Sequence, residues 1–355
     1  MTDSDSAQDL LDVAAVERWL DDHVPSLGGG PLRATKLTGG ATNIVFVLER
    51  DGNKAVLRRP PRVPRPDSEK ILGREARVLR ALNDTDVRAP RLLGHCDDAT
   101  VNGTAFYVMT HIDGWVALGS TFPPPFDKRG GGRRDLAFRL IEGIATLANV
   151  DYRAVGLEDF GKPDKFLERQ VDRWMHQLDL YRTTENYQGR DLPGLAYVGD
   201  WLKDNLVETP RVGIIHGDYG FANAMFAHGE KAELKAMIDW ELSTIGDPLL
   251  DLGWVIYGFR SEKDPPGEAP LGYFDPSIFP TREEMVAFYA DRTGLPVGNL
   301  DYYIVLAQFK LAVLLERKYA ESLIGRQSKE YGEMFGKMVI KLLGQAQSIA
   351  RAARF

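Results

Sequence analysis

The sequence predicts an α+β protein of two lobes, strand-rich over its first third and helix-rich thereafter. Three observations lead there. The 355 residues exceed what one small core organises and suit two packed bodies. Up to about residue 110, short alternating apolar–polar runs separated by turn residues carry the period-2 mark of strands. Beyond Asp113-Gly114 the apolar residues recur at three- and four-residue steps, the mark of amphipathic helices. The expected division is 1–112 and 113–355.

The elements follow in order. Residues 1–8 are polar and acidic and are expected to be disordered. A helix is expected from about Asp12, with Val13, Val16 and Leu20 on one face. Strands are expected at Leu32–Leu37, Asn43–Glu49 and Lys54–Leu57, the last two joined at Asp51-Gly52, a hairpin signal. After the proline-rich RRPPRVPRP, a helix is expected from Ser68 through Glu75 to Leu82, then strands at Arg91–His95 and Thr104–Thr110. FPPPFDKRGGGRR, Phe122–Arg134, reads as a mobile surface loop. Helices are expected at Leu136–Asn149, Asp164–Tyr181 and Leu195–Val207, and Thr281 with Glu284 makes a capping-box start. On the last helix Tyr331, Phe335, Met338, Leu342, Ala346 and Ile349 form the expected core face.

Composition excludes several classes. Forty-four Lys and Arg against 51 Asp and Glu give a net charge of −7, which speaks against a nucleic-acid binder, whose phosphate contacts need a basic face. Cys96 is the single cysteine, so no intrachain disulfide and no thiolate metal site is expected, in keeping with a reducing cytosol. The acidic N-terminus is unlike a signal peptide, and no apolar run approaches a membrane span. A cytoplasmic protein without membrane or nucleic-acid partners is expected.

Two stretches carry chemistry. In IIHGDYGFANAMF, Ile214–Phe226, an apolar run ends in His216 and Asp218, with Asn223 five residues on. In AMIDWELSTIGDPLLDLGW, Ala236–Trp254, a second apolar strand delivers Asp239, 21 residues beyond Asp218. Pairing Phe221–Ala227 with Lys235–Ile238 as a hairpin returns Asp239 to Asn223. Two carboxylates and an amide oxygen around one point suit Mg²⁺, which takes one or two carboxylates plus phosphate oxygens. An aspartate that orients a nucleophile beside them is what phosphoryl transfer needs. An isolated Asp is usually a turn former or cap; two strand-terminal carboxylates and an Asn at this spacing are not explained that way.

HGDYGFAN followed by IDWELSTIGDPLLDL resembles the aminoglycoside phosphotransferase (phosphotransferase enzyme) family, of protein-kinase-like fold. The resemblance implies ATP and Mg²⁺ as cofactors. It makes Asp218 the aspartate that orients and deprotonates the substrate hydroxyl, and Asn223 and Asp239 the metal ligands. It gives His216, Asp247 and Asp251 loop-bracing roles. It makes the strand-rich third the nucleotide lobe, where Gly39, Gly40, Thr42 and Asn43 of LTGGATN approach phosphates, the glycines through free backbone N–H groups. Arg58 stands at the third-strand lysine position, with Glu75 its helix partner. Arginine there departs from the wider family, and Arg59 is a competing candidate. Met109, Thr110 and His111 fall at the connection expected to meet the adenine edge.

Asp239 to Asp247 is eight residues, too short for a peptide-docking activation segment, and Gly217 stands where protein kinases carry the arginine of their HRD triplet. A small-molecule hydroxyl substrate is therefore expected. DWELSTIGDPLLDLGW, LRRPP and ERQVDRWMHQL also resemble the kinase-like domain of acyl-CoA dehydrogenase family members 10 and 11 and its stand-alone bacterial relatives, which implies a hydroxyacyl-CoA or related hydroxy acid as acceptor. Arg169, Arg173 and Trp174 are the candidates to face it. The alternatives are a nucleotide-binding pseudokinase acting as a regulatory module, and an aminoglycoside- or macrolide-type antibiotic kinase.

Overall fold

The computed structural model describes residues 10–37, 43–61, 67–117, 121–128, 132–183, 187–264 and 278–353. The expectations for residues 1–8, Gly39, Gly40 and Thr42 lie outside the described residues.

Five antiparallel strands, β1 (Arg33–Leu37), β2 (Ile44–Arg50), β3 (Asn53–Arg59), β4 (Leu92–Cys96) and β5 (Phe106–Thr110), form one sheet in the order β1-β2-β3-β5-β4. The β2–β3 turn is set by Asp51 and Gly52, both at positive φ (47° and 78°), the conformation that a two-residue hairpin with the right twist demands. One sheet face is closed by α1 (Val13–His23): Val16, Trp19 and Leu20 pack with Phe46, Leu57 and Phe106. Against the remaining apolar strand residues lies α2 (Ser68–Leu82). Its inward stripe of Leu72, Ala76 and Leu79 at helical spacing joins Tyr107 in a second, larger core. Glu75 belongs to that inward stripe and is 1% exposed.

The larger core is otherwise helical: α3 (Arg133–Ala148), α4 (Gln170–Tyr181), α5 (Leu195–Asp204), α6 (Leu249–Ile256), α7 (Arg282–Thr293), α8 (Leu300–Leu323) and α9 (Lys329–Ala352). Within it run two small sheets, β6 (Trp115–Val116) with β8 (Ala224–Phe226) and β9 (Leu234–Met237), and β7 (Gly213–Ile215) with β10 (Thr244–Gly246). The expected capping box closes on α7, with Thr281 and Glu284 bonding each other's backbone N–H. A Cβ on Gly253 would lie 2.7 Å from backbone atoms of Tyr303, so α6 and α8 touch main chain to main chain. None of the helices is long and apolar enough to cross a membrane, among the described residues.

Two expectations are corrected. The segment from Phe122 is not simply a surface loop, because Phe122 and Phe126 are buried and their rings pack on Trp115, with Phe122 also edge-on to Phe221. Proline and glycine set the composition there, but the aromatic pair has too much apolar area to leave in water. On α9 the expected Leu342 and Ala346 are buried and Met338 and Ile349 pack half-buried on the core, but the buried face also takes in Gly332, Gly336, Val339, Leu343 and Ala350, while Tyr331 is 57% exposed. The reason is a close seam against α8: a Cβ on Gly332 would collide with Ser322 and one on Gly336 would crowd Tyr319. At those two positions only a residue without a side chain fits, and the exposed Tyr331 sits beside the seam.

Candidate active site

Strand β7 ends at Ile215, His216 follows, and the chain then turns at Gly217. Its φ of +86° is one that L side chains rarely adopt, and a Cβ there would stand 2.6 Å from the Leu242 carbonyl oxygen. We expect Gly217→Ala to cost about 2 kcal/mol through left-handed strain and this clash, read as a lower melting temperature. The Asp251 carboxylate, at the start of α6, accepts from both backbone amides here, His216 N at 2.7 Å and Gly217 N at 2.9 Å. The His216 ring is fully buried, with Nε2 3.0 Å from the Ile238 carbonyl and Nδ1 accepting from Asp218 N at 3.4 Å. The ring thus spans the two strand ends that deliver the carboxylates.

Burial lowers His216 from 6.5 to about 4, so it is neutral at physiological pH. The linkage sign follows. Between about pH 6.5 and 4 the unfolded chain takes up a proton that the folded chain refuses, so stability falls as pH falls through that window. The full effect is roughly 3 kcal/mol. A urea titration at stepped pH should show that slope in the wild type and a shallower one in His216→Gln.

After Asp218 a single 3₁₀ turn, Phe221–Asn223, brings the Asn223 amide back to bond the Asp218 carbonyl at 2.8 Å and its Oδ2 at 3.2 Å. The expected hairpin forms as β8 and β9, with Ala224 opposite Met237. Ile238 N extends it to the Asn223 carbonyl at 2.9 Å, which sets Asp239 beside Asn223. Asp239 itself sits at φ +67°, a region where Asp is among the few tolerated residues. Its Oδ1 is 2.8 Å from Arg58 Nη2.

Arg58 is the hub of the opposite wall. Its Nη1 lies 3.1 Å from Glu75 Oε1, and Asn43, its amide turned oxygen-inward, accepts from Nε at 3.0 Å and Nη2 at 3.1 Å. Burial works against the guanidinium's charge, but Glu75, Tyr107 and Asp239 together raise its pKa well above the usual value. Glu75 goes up to about 7, chiefly by burial, with Arg58 opposing, and the same carboxylate accepts from Trp240 N at 3.1 Å. Arg59 instead donates to the Pro60 and Leu10 carbonyls. Asp218 is raised as well, first by burial and then by Asp239 and Glu241, against a lowering by Lys310.

Lys310, on α8, gave no motif-level signal. It is 4% exposed, donates to the Gly217 carbonyl, and lies 4.4 Å from the centre of the Trp254 ring. The available sign was local: in IVLAQFKLAVLL one charge interrupts an otherwise apolar helix.

The remaining candidates are placed as follows. Asp247 caps α6 through Leu249 N at 3.0 Å and accepts from Tyr303 Oη at 2.7 Å. Thr110 is tied to Arg91 by its N–H at 2.9 Å and its hydroxyl at 3.0 Å. Met109 pairs with Val56 and Leu92 within the sheet, and His111 is half-buried just beyond it. Arg169 is spent on the Lys162 and Asp164 carbonyls. Trp174 is buried and bonds Gln170 at 3.3 Å. Arg173 is exposed, with its guanidinium over the Trp174 ring at 5.1 Å. A cavity of about 350 Å³ opens beside Asp218 and Asn223, walled by Phe221, Trp254, Val255, Tyr257, Phe259 and Leu311.

Comparisons with known proteins bear on family and fold. The model of the phosphotransferase enzyme family matches residues 33–275. Acyl-CoA dehydrogenase family member 11 of Gallus gallus is 31% identical, over 98% of this chain and 44% of that protein. Family member 10 of Mus musculus is 28% identical, over 96% of this chain and 31% of that protein. The chain thus spans less than half the length of these curated relatives. A candidate aminoglycoside phosphotransferase from Ralstonia eutropha JMP134 superposes with a TM-score of 0.81 at 29% identity, over 97% of this chain and 100% of that one. A thermostable mutant of aminoglycoside phosphotransferase APH(4)-Ia, solved with AMP-PNP and hygromycin B, shares the fold at a TM-score of 0.58 and 13% identity, over 96% and 98% of the two chains. With the family model covering well over half its length, the chain belongs to the phosphotransferase enzyme family and has its kinase-like α+β fold.

Proposed function

We propose that the chain is an ATP- and Mg²⁺-dependent small-molecule kinase that phosphorylates a substrate hydroxyl. The observation that carries this is the meeting of Asp218, Asn223 and Asp239, from two strand ends, opposite the Arg58–Glu75 pair. Residues 1–112 form the nucleotide lobe on this reading and 113–355 the lobe that holds the acceptor. Asp218 orients the acceptor hydroxyl and receives its proton; burial, by raising its pKa, makes it a better base than a free carboxylate. Arg58 grips phosphate oxygens with a planar fork, aimed by Glu75 and Asn43. His216 and Asp251 hold the loop, and Asp247 fixes the helix behind it.

Asn223 and Asp239 fit Mg²⁺ by donor chemistry. With its NH₂ turned to Asp218, Asn223 presents an oxygen, and Asp239 keeps Oδ2 beyond its Arg58 pair. Among the described residues no group of three or more His, Cys, Asp or Glu converges as a metal cage, as suits an ion that keeps waters and takes phosphate oxygens. Bound there, it would supply neutralisation of the transferring phosphoryl charge. Met109, Thr110 and His111 remain the nucleotide-edge candidates, contacting through groups other than the Thr110 N–H.

The cavity walls favour an acyl-type acceptor. Beside Asp218 they are aromatic and aliphatic, a poor match for a polycation and a good one for an alcohol on an apolar chain. The names of the curated relatives point the same way, toward a hydroxyacyl-CoA or related hydroxy acid. Phosphorus NMR tests this with ATP, Mg²⁺ and a panel of hydroxyacyl-CoAs, aminoglycosides, choline and homoserine. A new phosphoester from a hydroxyacyl acceptor, abolished by EDTA, is expected. ATP binding without any phosphoester would sink the kinase reading in favour of a nucleotide-binding module. A phosphoester only on an aminoglycoside would overturn the acceptor.

A further inference from the structure

Charged side chains buried outside the strand ends are few, and Lys310 is one whose charge an apolar helix does not explain. Burying an ammonium costs several kcal/mol unless it is paired, and Met or Leu would fill the same volume in an apolar helix. Its surroundings say what the charge is for. Lys310 comes from α8 and donates to the Gly217 carbonyl; Asp251 comes from α6 and accepts the Gly217 N–H at 2.9 Å. One glycine is therefore gripped on both polar groups, by side chains of opposite charge, from two helices whose backbones touch at Gly253 and Tyr303. The Gly217 carbonyl belongs to the peptide unit that leads into Asp218. Turning that peptide swings the carboxylate, and Gly217 at positive φ has the freedom to turn.

We infer that Lys310 is a positioning residue, which fixes the Gly217–Asp218 peptide and so the direction of the Asp218 carboxylate. The link to catalysis rests on the kinase reading; the link to loop geometry does not. The Trp254 ring under the ammonium at 4.4 Å completes the socket, a cation–π contact that partly replaces lost hydration. Trp254 also walls the cavity beside Asp218. Lys310 thus ties loop and acceptor wall together.

Three variants, Lys310→Met, Lys310→Arg and Lys310→Gln, test the inference with two readouts. Hydrogen–deuterium exchange of residues 213–223 reads the loop without any turnover. We expect Lys310→Met to exchange there at least about tenfold faster while residues 44–59 keep wild-type rates. With an accepted acceptor, its kcat should fall on the order of 100-fold, the scale of losing one preorganised donor, with the KM for ATP changed by less than about threefold. Lys310→Arg, keeping charge and donor, should recover part of both. Wild-type exchange across 213–223 in a folded Lys310→Met protein would overturn the inference, as would a loss of activity lying wholly in the KM for ATP. Should Lys310→Met fail to fold, Arg and Gln decide: a protected loop with Arg and a loosened one with Gln supports it, and wild-type loops in both overturn it. Absence of phosphotransfer in the wild type would count against the kinase reading alone, since the exchange measurement still decides the role of Lys310.

Discussion

Asp218→Asn is expected to lower kcat on the order of 1000-fold while ATP affinity stays within a few-fold. The substitution keeps size and the Asn223 contact but removes the acceptor for the substrate proton, and general-base contributions run at about 10² to 10⁴. Its selectivity is the point. Asp218 lines the cavity with Asn223, whereas Arg58, proposed to meet phosphates, stands on the opposite wall and is held there by Glu75 and Asp239. Single-turnover kinetics with nucleotide binding followed separately would check it; near-normal turnover would remove Asp218 from the proposed role.

The second large effect is on stability. Arg58→Met should destabilise the protein by about 3 kcal/mol, because it strands a carboxylate with no cation beside it, and breaking a buried pair from one side costs that much. Glu75 is 1% exposed and its Oε2 already lacks a partner, so the relief left to it is to take up a proton, toward which burial already pushes it. The control is the double variant Arg58→Met/Glu75→Leu. Replacing both charges by apolar groups is often neutral, so the double variant should be more stable than Arg58→Met. Urea midpoints at constant m-value would measure this. Arg58→Lys should fall between, since a point charge on a flexible stem cannot serve Glu75, Asp239 and Asn43 at once.

What was legible in the sequence was local or set by spacing. The start of α2 at Ser68, the Asp51-Gly52 hairpin and the Thr281 capping box each depend on residues within a few positions, where turn and cap chemistry acts. Asn223 and Asp239 came together because a hairpin of the expected register joins them. Arg58 found Glu75 because strand alternation and helix periodicity each present one side of a pair. Illegible were features decided by distant packing. Lys310 acquires its meaning only once α8 lies under the Gly217 turn. The α9 face is legible at Leu342 and Ala346 but not at its first turns, because periodicity counts large apolar residues, whereas the seam with α8 selects glycine there. Trp174 is buried against Gln170 with its ring 5.6 Å from the Lys310 ammonium, a neighbour that helical spacing alone does not reveal.

The pairing of β7 with β10, Ile215 opposite Thr244 and Gly213 opposite Gly246, has a kinetic consequence. The strand that leads to Asp218 and the stretch that leaves Asp239 are laced to each other within a few residues, so no free segment separates them that a covalent mark could swing in or out. Catalysis of the proposed kind would need no priming event. Product would accumulate linearly from the first turnover, without a lag that shortens on preincubation with ATP.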